Sequence, residues 1–339
     1  TASMSVFVVD PRIDIIDARG ERGVGGERDD FWVGWHVGCV SDYGCSAEPY
    51  QVGQTDTVVA LNIAGTPAGV VDGPFAGPDG VQIRNTLVIR AGQSESTDAD
   101  GAIDKLYVGS PTMAGSYSLQ ATVAGQLRGS RPTTVNVPFL SFSLATHDVG
   151  LGLRAGAVKL RRTVYAYGVA EATAADLSIN LSCAATSICH VPATLTLPAG
   201  QTEVVVPISG IGLGSTRVYA SAPGYSMGSQ PDVDVRVVRP RLSLGGVPSF
   251  LHVGQSAAVV ASVDVPSSSE HYQSAAAPIS VTVTSSVPGV ASITPVVIIP
   301  AGSEMSGEAT LLGLAPGQTT LTPSATNSDW LSSDVWIVE

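Results

Sequence analysis

Three short sequence patterns recur along this chain about every hundred residues, and that repeat limits the folds available to it. The patterns are a strand that runs through a proline into a second strand, a Pro-Ala-Gly turn, and a strand that begins at glycine. From the second copy to the third, the proline moves from 138 to 240 and the turn glycine from 200 to 302, and the strand glycine moves from 214 to 317. Displacements of 102, 102 and 103 residues indicate tandem units of similar structure.

Each unit has the pattern of a β-sheet protein. Runs of about five to eight residues rich in Val, Ile, Thr and Ser alternate with Gly, Pro and Asp every 8 to 12 residues or so, and no segment sustains a helical apolar period. About one hundred residues with roughly seven short strands is typical of an immunoglobulin-like sandwich. The sequence therefore predicts an all-β chain of three tandem immunoglobulin-like β-sandwich domains in a rod.

The repeat also predicts the domain boundaries. Residues 1–11 resemble the last strand of a preceding unit, and three domains follow: 12–138 with inserted loops, 139–240, and 241–339. Within the leading segment we expect an assembly strand over Val6, Phe7, Val8 and Val9. Two explanations stay open for it. Either the chain is a segment of a longer array, or this strand pairs with another subunit, as in donor-strand assembly.

The turns give the chain a resemblance to a known family. In its opening strand pairs, its Val52–Thr55 and Val253–Ser256 turns and its Pro-Ala-Gly turns, it resembles the bacterial immunoglobulin-like repeats of invasin, intimin and related surface proteins. The resemblance covers most of residues 30–339 and is clearest after 139. It implies a cell-surface, matrix or filament location and a structural or adhesive role rather than catalysis.

Composition agrees with an extracellular chain that does not bind nucleic acid. The 339 residues are 44% apolar and only 14% charged, and no apolar run approaches the roughly 20 residues needed to span a bilayer. The net charge of −12 makes nonspecific phosphate binding a poor prediction. We therefore expect neither a nucleic-acid partner nor a transmembrane segment.

The four cysteines form two pairs with identical spacing. Cys39 and Cys45 enclose five residues, as do Cys183 and Cys189, and this spacing favours two local disulfides, each worth about 2 kcal/mol. Metal binding is the weaker interpretation, because CxxC spacing and nearby paired histidines are missing. Disulfides indicate an oxidising compartment.

A cluster of acidic residues is the one candidate metal site. Asp98, Asp100 and Asp104 surround Gly101, and calcium takes oxygen ligands from alternate positions of a loop that turns at glycine. The alternative is an acidic turn without a metal. We expect no other cofactor.

The sequence does not predict an enzyme. The segment Gly224–Gly228 matches the G-x-S-x-G pattern of a hydrolase nucleophile, but it lies between two strands and is better interpreted as a hairpin loop. The histidines show no metal-ligand spacing, and no set of acid, base and nucleophile is apparent.

Local composition adds four interpretations. The inserted segment 17–30 mixes both charge signs with glycine and is most simply a solvated loop, and residues 64–79 extend another loop. The three units carry net charges of −7, +1 and −6, so Lys159, Arg161 and Arg162 are candidates to dock an acidic unit of a neighbouring chain. The aromatic cluster Phe31, Trp32 and Trp35 is interpreted as core or interface packing, with sugar stacking as the alternative.

Taken together, these observations predict a non-enzymatic extracellular structural protein. It would be a subunit of a bacterial filament, sheath or S-layer, or a rigid spacer, and its partners would be copies of itself packed laterally or end to end. The alternatives are an adhesin whose end loops bind a host receptor or glycan, and a virion or phage-tail decoration module.

Overall fold

A computed structural model describes residues 11–36, 52–65, 70–71, 75–77, 82–164, 170–228 and 230–339. Every regular element in these residues is a β-strand, so the all-β prediction is confirmed. The assembly strand Val6–Val9 and the pair Cys39 and Cys45 lie outside the described residues. The described part contains no helix that is long and apolar enough to cross a membrane.

The strands follow one another in three groups along the chain. In the first predicted unit they are β1 (Arg12–Ile16), β2 (Glu21–Gly23), β3 (Asp29–His36), β4 (Thr57–Ala64), β5 (Thr86–Ile89), β6 (Leu106–Val108), β7 (Gly115–Val123) and β8 (Gln126–Asn136). In the second they are β9 (Phe139–Phe142), β10 (Thr146–Gly150), β11 (Leu153–Ala155), β12 (Lys159–Thr163), β13 (Leu177–Cys183), β14 (Cys189–His190), β15 (Thr194–Leu197), β16 (Glu203–Val205), β17 (Ile208–Gly210), β18 (Gly214–Ser221), β19 (Ser226–Met227) and β20 (Asp232–Val238). In the third they are β21 (Arg241–Gly245), β22 (Phe250–His252), β23 (Ser256–Asp264), β24 (Ser274–Ala275), β25 (Ile279–Ser285), β26 (Ala291–Ile293), β27 (Val296–Ile299), β28 (Met305–Gly313), β29 (Gly317–Ser324), β30 (Asp329–Trp330) and β31 (Ser333–Val338).

One five-stranded sheet occurs in each group with the same topology. Its strand orders are β2-β8-β7-β4-β5, β10-β20-β18-β13-β15 and β22-β31-β29-β25-β27. The first pair of each sheet is parallel and the other three pairs are antiparallel. The sequence repeat is therefore a repeat of topology, and the immunoglobulin-like sandwich is confirmed as the fold class.

Three other sheets complete the sandwiches. They have the orders β1-β3-β6, β16-β12-β9-β19 and β26-β28-β23-β21-β30. A further sheet, β14-β17-β11-β24, takes its last strand from the third unit and the others from the second. Backbone pairing therefore continues from one unit into the next.

Alternation along each strand places the cores. In β20, Val233, Val235 and Val237 are buried while Asp234 and Arg236 face solvent, as the period of two in a strand requires. Each buried valine of this kind stabilises the fold by roughly 1.5–3 kcal/mol. The buried apolar residues form three clusters, one in each unit.

Candidate functional site at the junctions between units

The described residues make two contacts between units, and both use the same parts. One part is a docking segment that precedes a long strand, β13 or β25: Glu171–Ala174 in the second unit and Gln273–Ala276 in the third. The other is a receiving edge on the preceding unit: Gly23–Gly26 in the first and Gly150–Leu153 in the second. The docking segments lie 102 residues apart, in phase with the repeat.

Backbone pairing joins segment and edge. At the first junction Thr173 forms an antiparallel bridge with Gly26, and the N–H of Ala174 donates to the Gly25 carbonyl at 3.0 Å. At the second junction Ala275 pairs with Leu153 in the same way. There the N–H of Ala276 donates to the Gly152 carbonyl at 2.9 Å. The docking segment therefore extends a sheet of the unit before it.

A buried side chain of each docking segment adds a hydrogen bond to the receiving edge. Glu171 Oε2 accepts the N–H of Gly23 at 2.8 Å, and Gln273 Oε1 accepts the N–H of Gly150 at 2.9 Å. Both side chains are almost fully buried. An amide N–H left without such an acceptor in a buried junction would cost about 1–3 kcal/mol.

Glycine is needed on the receiving edge of the first junction because the second unit approaches it closely. A Cβ at Gly23 would lie 2.9 Å from both Arg162 Nη2 and Glu171 Oε2, and a Cβ at Gly26 would lie 2.5 Å from the Glu171 carboxylate. The glycine between them, Gly25, has a φ of +71°, a left-handed conformation that other residues rarely adopt.

A buried ion pair strengthens the first junction. Arg162 and Glu171, both from the second unit, are 2.9 Å apart from Nη1 to Oε2, and Arg162 Nη2 donates to the Val24 carbonyl of the first unit at 2.9 Å. Arg19 of the first unit reaches Glu171 Oε1 at 3.3 Å. Removal of one partner from such a pair leaves an uncompensated buried charge and is strongly destabilising.

The second junction has its own charged contact. Glu270 accepts the N–H groups of Gly156 and Ala157 at 3.0 and 3.1 Å, and its Oε2 lies 3.3 Å from Nε2 of the buried His147. Burial by itself would raise the pKa of Glu270, but His147 and the two N–H groups outweigh burial and hold that pKa below its usual range. The carboxylate of Glu270 therefore stabilises this junction when ionised.

Apolar packing also crosses the second junction. The side chain of Leu153, from the second unit, is fully buried within the core cluster of the third. This placement removes the side chain from water only when the two units are in contact, so the two units share part of one core.

The structure places one predicted disulfide and leaves the calcium site a prediction. Cys183 and Cys189 are bonded, with their Cα atoms 6.2 Å apart, which confirms the local pairing for that pair. Asp98 Oδ1 accepts the N–H groups of Asp100 at 2.9 Å and Ala102 at 3.0 Å. The carboxylate of Asp104 is held by Arg84 at 2.7 Å. In the described residues, no three acidic, His or Cys side chains are grouped to hold a metal.

Two interpretations of charged segments were wrong. The described segment 17–30 is not a solvated loop, because it contains β2 and the receiving edge of the first junction and buries Arg22 and Asp29. Arg162 is not a surface docking residue, because it is buried in the junction. Lys159 and Arg161 stay at the surface, where both contact Glu203.

The aromatic residues are divided between core and surface. Phe31 is buried and packs edge to face on Phe75 with ring centroids 5.4 Å apart. The Lys105 ammonium lies over the Trp32 ring, 4.7 Å from its centroid. Trp330 and Trp336 of the third unit are 55% and 54% exposed. Of the three residues in the predicted aromatic cluster, Phe31 is therefore the one that packs in the core.

Sequence reasoning did not find the junction residues, although a signal was present. Glu171 and Gln273 each stand six residues before the first residue of the following long strand, Leu177 or Ile279. A side chain that can accept a backbone N–H at the same position of two repeats is the signal for this contact. Aligning the repeats by their turn residues alone does not compare that position.

Comparisons with known proteins return structural similarity only. No family model and no curated protein matches the sequence. The structure is similar to the Escherichia coli adhesin FdeC, with 14% identity, a TM-score of 0.29 and 97% of each chain covered. It is also similar to invasin, a bacterial integrin-binding protein, with 16% identity, a TM-score of 0.29, and 97% of this chain and 60% of invasin covered. A third similarity is to domains 4–9 of the surface layer protein SbsC, with 14% identity, a TM-score of 0.34, and 97% of this chain and 47% of that one covered.

Proposed function

We propose that the protein is a non-enzymatic extracellular structural protein, used as a subunit of a bacterial surface assembly or as a rigid spacer within a surface protein. The observation that supports this proposal best is the repeated junction, in which a docking segment pairs with the backbone of the unit before it. A chain of independent binding modules would not need a buried contact of the same geometry at both connections.

The proposed mechanism is mechanical. Only two residues separate β8 from β9 and two separate β20 from β21, and each of these linkers contains a proline, Pro138 or Pro240. Short linkers limit the reach of one unit from the next, and the contacts of Arg162 with the Val24 carbonyl and of Glu270 with His147 oppose bending. The Cys183–Cys189 disulfide supports an oxidising, extracellular location for this role.

Small-angle scattering and electron microscopy of the purified chain test the proposal together. We expect particles of one fixed length, ordered polymers at high concentration, or both. A double variant, Glu171→Ala with Gln273→Ala, should broaden the length distribution because it removes the buried acceptor at each junction. A wild-type chain that bends freely and never forms ordered assemblies would contradict the structural role.

Titration calorimetry with calcium, compared with an Asp98→Asn variant, tests whether the acidic cluster adds a metal site.

An adhesin is the second candidate, and the outer sheet face of the third unit favours it. Phe250 and Trp336 are 63% and 54% exposed and lie opposite each other on β22 and β31. The matching pair in the second unit is Asp148 and Arg236, which form an ion pair. Exposed aromatic rings in place of charges are suited to stacking on a sugar or packing on a protein receptor.

A glycan array and an immobilised receptor panel test the adhesin role. Binding that Trp336→Ala abolishes and Trp330→Ala retains would place the ligand on the β22–β31 face, since the two tryptophans are equally exposed but lie on different sheets. Binding that both variants retain, or no binding to either panel, would remove the support for this candidate.

A further inference from the structure

We propose that two copies of this chain join end to end, with the receiving edge of the third unit of one copy bound to the docking segment of the first unit of the next. The contact would repeat the two junctions within the chain. This inference rests on the proposed structural function and identifies the partner surface.

The third unit has the backbone of a receiving edge at His252–Gln255. Gly254 has a φ of +81°, as Gly25 and Gly152 have +71° and +77°. Its N–H donates to the Gly313 carbonyl at 2.9 Å, which matches the bonds from Gly25 to Pro111 at 2.8 Å and from Gly152 to Gly210 at 2.9 Å. The edge therefore has the conformation that accepts a docking segment in the other two units.

That edge faces solvent in the third unit. The four residues from His252 to Gln255 are exposed, and within the described part of the chain no N–H donates to the Gly254 carbonyl. The corresponding carbonyls of Gly25 and Gly152 each accept an N–H from the next unit. An exposed β-edge with a defined conformation is a template for pairing with another chain.

The first unit has the backbone of a docking segment at Val52–Gln54. The Gly53 carbonyl accepts the N–H of Gly92 at 2.8 Å, as Thr173 accepts that of Gly200 at 2.9 Å and Ala275 accepts that of Gly302 at 2.8 Å. Gly53 is therefore the counterpart of the two residues that bridge to a receiving edge.

A second bond and the exposure support this match. Asp56 Oδ1 accepts the N–H of Ala91 at 2.8 Å, and Asp176 makes the same bond with Ala199 at 2.9 Å. Val52 is 63% exposed, whereas its counterparts Ala172 and Ser274 are half-buried. The docking segment of the first unit is thus formed, with Val52 and Gln54 at the surface and Gly53 half-buried.

The two surfaces differ in residue size from those inside the chain. The third unit has His252 at the position of Gly23 and Gly150, so its edge is bulkier than the two inside the chain. The first unit has Gly53 where the other docking segments have Thr173 or Ala275. In the register of the two inner junctions Gly53 would lie opposite Gln255, so the smallest residue of the segment would face a glutamine of the edge.

Head-to-tail use of two different surfaces has a structural consequence. Each added copy presents a new exposed edge, so the assembly grows by further addition, as an open filament when the rotation from copy to copy does not close a ring. In that contact Gln255 would pair with Gly53 of the next copy, and the N–H of Gln54 would donate to the Gly254 carbonyl.

Disulfide trapping tests this pairing directly. Bridged residues in an antiparallel pair have Cα atoms about 4.5–5.5 Å apart, within the range that a disulfide spans. We expect the full chain with Gly53→Cys and Gln255→Cys to give, under mild oxidation, a ladder of multiples of 34.6 kDa on a non-reducing gel. Each single variant can give at most a dimer. The matched control combines Gly53→Cys with Thr284→Cys, an exposed position on another part of the third unit.

A second measurement does not depend on cysteine. Gln54→Pro removes the N–H that would donate to Gly254, whereas Gln54→Ala keeps it. Sedimentation velocity should show an association constant about tenfold lower for the proline variant and unchanged for the alanine variant.

A ladder no longer than that of the control pair, with equal association of both Gln54 variants, would overturn the end-to-end contact. If microscopy still showed polymers, the proposed structural function would stand and the contact would be lateral. Chains without any assembly that also bend freely would refute both.

Discussion

Single residues decide how firmly the first two units are joined, and Glu171 is the most important of them. Its carboxylate accepts the N–H of Gly23 and pairs with the buried Arg162. We predict that Glu171→Ala lowers the free energy of unfolding by about 3–5 kcal/mol, because the Arg162 charge stays buried without its partner. Urea denaturation followed by tryptophan fluorescence measures the change.

A control for this prediction lies on β16, which pairs with the strand of Arg162. Glu203→Ala removes the partner of the exposed Lys159 and Arg161, and we expect little change in stability because solvent screens that pair. Equal losses from Glu171→Ala and Glu203→Ala would show that burial of the junction does not determine the effect.

The pH dependence of the second junction depends on Glu270. Its pKa in the folded chain lies below the ordinary value of 4.5, so its ionised form stabilises the junction above that value, and the stabilisation is lost as pH falls through the lowered pKa. The groups that face it are His147 and the N–H groups of Gly156 and Ala157. We predict that thermal stability falls below about pH 4.5, more steeply in the wild type than in Glu270→Gln.

That variant should keep part of the acid sensitivity. Asp148 follows His147 on β10, and the hydrogen bond from Arg236 lowers its pKa. Asp148 therefore also loses its stabilising charge in acid. Melting temperatures measured from pH 7 to pH 3 separate the two contributions, and identical slopes for wild type and variant would contradict the role of Glu270.

Among the structural elements, the receiving edge of the first junction has little room for change. We predict that Gly26→Ala destabilises the first junction by about 1–3 kcal/mol, because the new Cβ would meet the Glu171 carboxylate at 2.5 Å. Gly307→Ala is the matched control, since a Cβ there would have no neighbour within 4 Å. Hydrogen exchange at Ala174, whose N–H donates to the Gly25 carbonyl, reports on the junction itself, and unchanged protection in Gly26→Ala would count against the tight approach.

The disulfide is a second element with a defined effect. Cys183 and Cys189 close a short loop between β13 and β14. We predict that Cys183→Ser with Cys189→Ser lowers stability by about 2 kcal/mol, because the open loop gains conformational entropy when unfolded. Guanidinium denaturation of the double variant measures this loss, and an unchanged midpoint would contradict it.

The turns allowed the strands to be predicted, but the contacts between units required the structure. Alternation of Val with polar residues placed β20, and repeated glycines placed the turns, because both depend on local backbone geometry. The role of Arg162 depended on Gly23, Val24 and Glu171 meeting across two units, and no local pattern encodes that meeting. The prediction of a solvated loop over 17–30 is wrong for a related reason, since Arg22 is buried against Gly109 and Tyr117, which lie far along the chain.

The distribution of charge over the whole molecule separates the two ways in which copies can pack. Residues 1–138 carry a net charge of −7 and residues 241–339 carry −6, whereas the middle unit carries +1. An end-to-end contact brings the two acidic units together, so their repulsion should weaken association at low salt. A lateral contact of a middle unit with an acidic unit would have no such penalty.

We therefore predict that self-association strengthens as NaCl rises from about 10 mM to 150 mM, where the Debye length shortens from about 30 Å to 8 Å. Sedimentation equilibrium at several salt concentrations measures the association constant, and an increase of several-fold is expected for end-to-end joining. A chain with Glu304→Gln and Glu308→Gln should show a smaller salt effect, because these changes reduce the negative charge of the third unit. Association that weakens with salt would instead indicate attraction between unlike units, and the end-to-end contact would then not be the one that holds copies together.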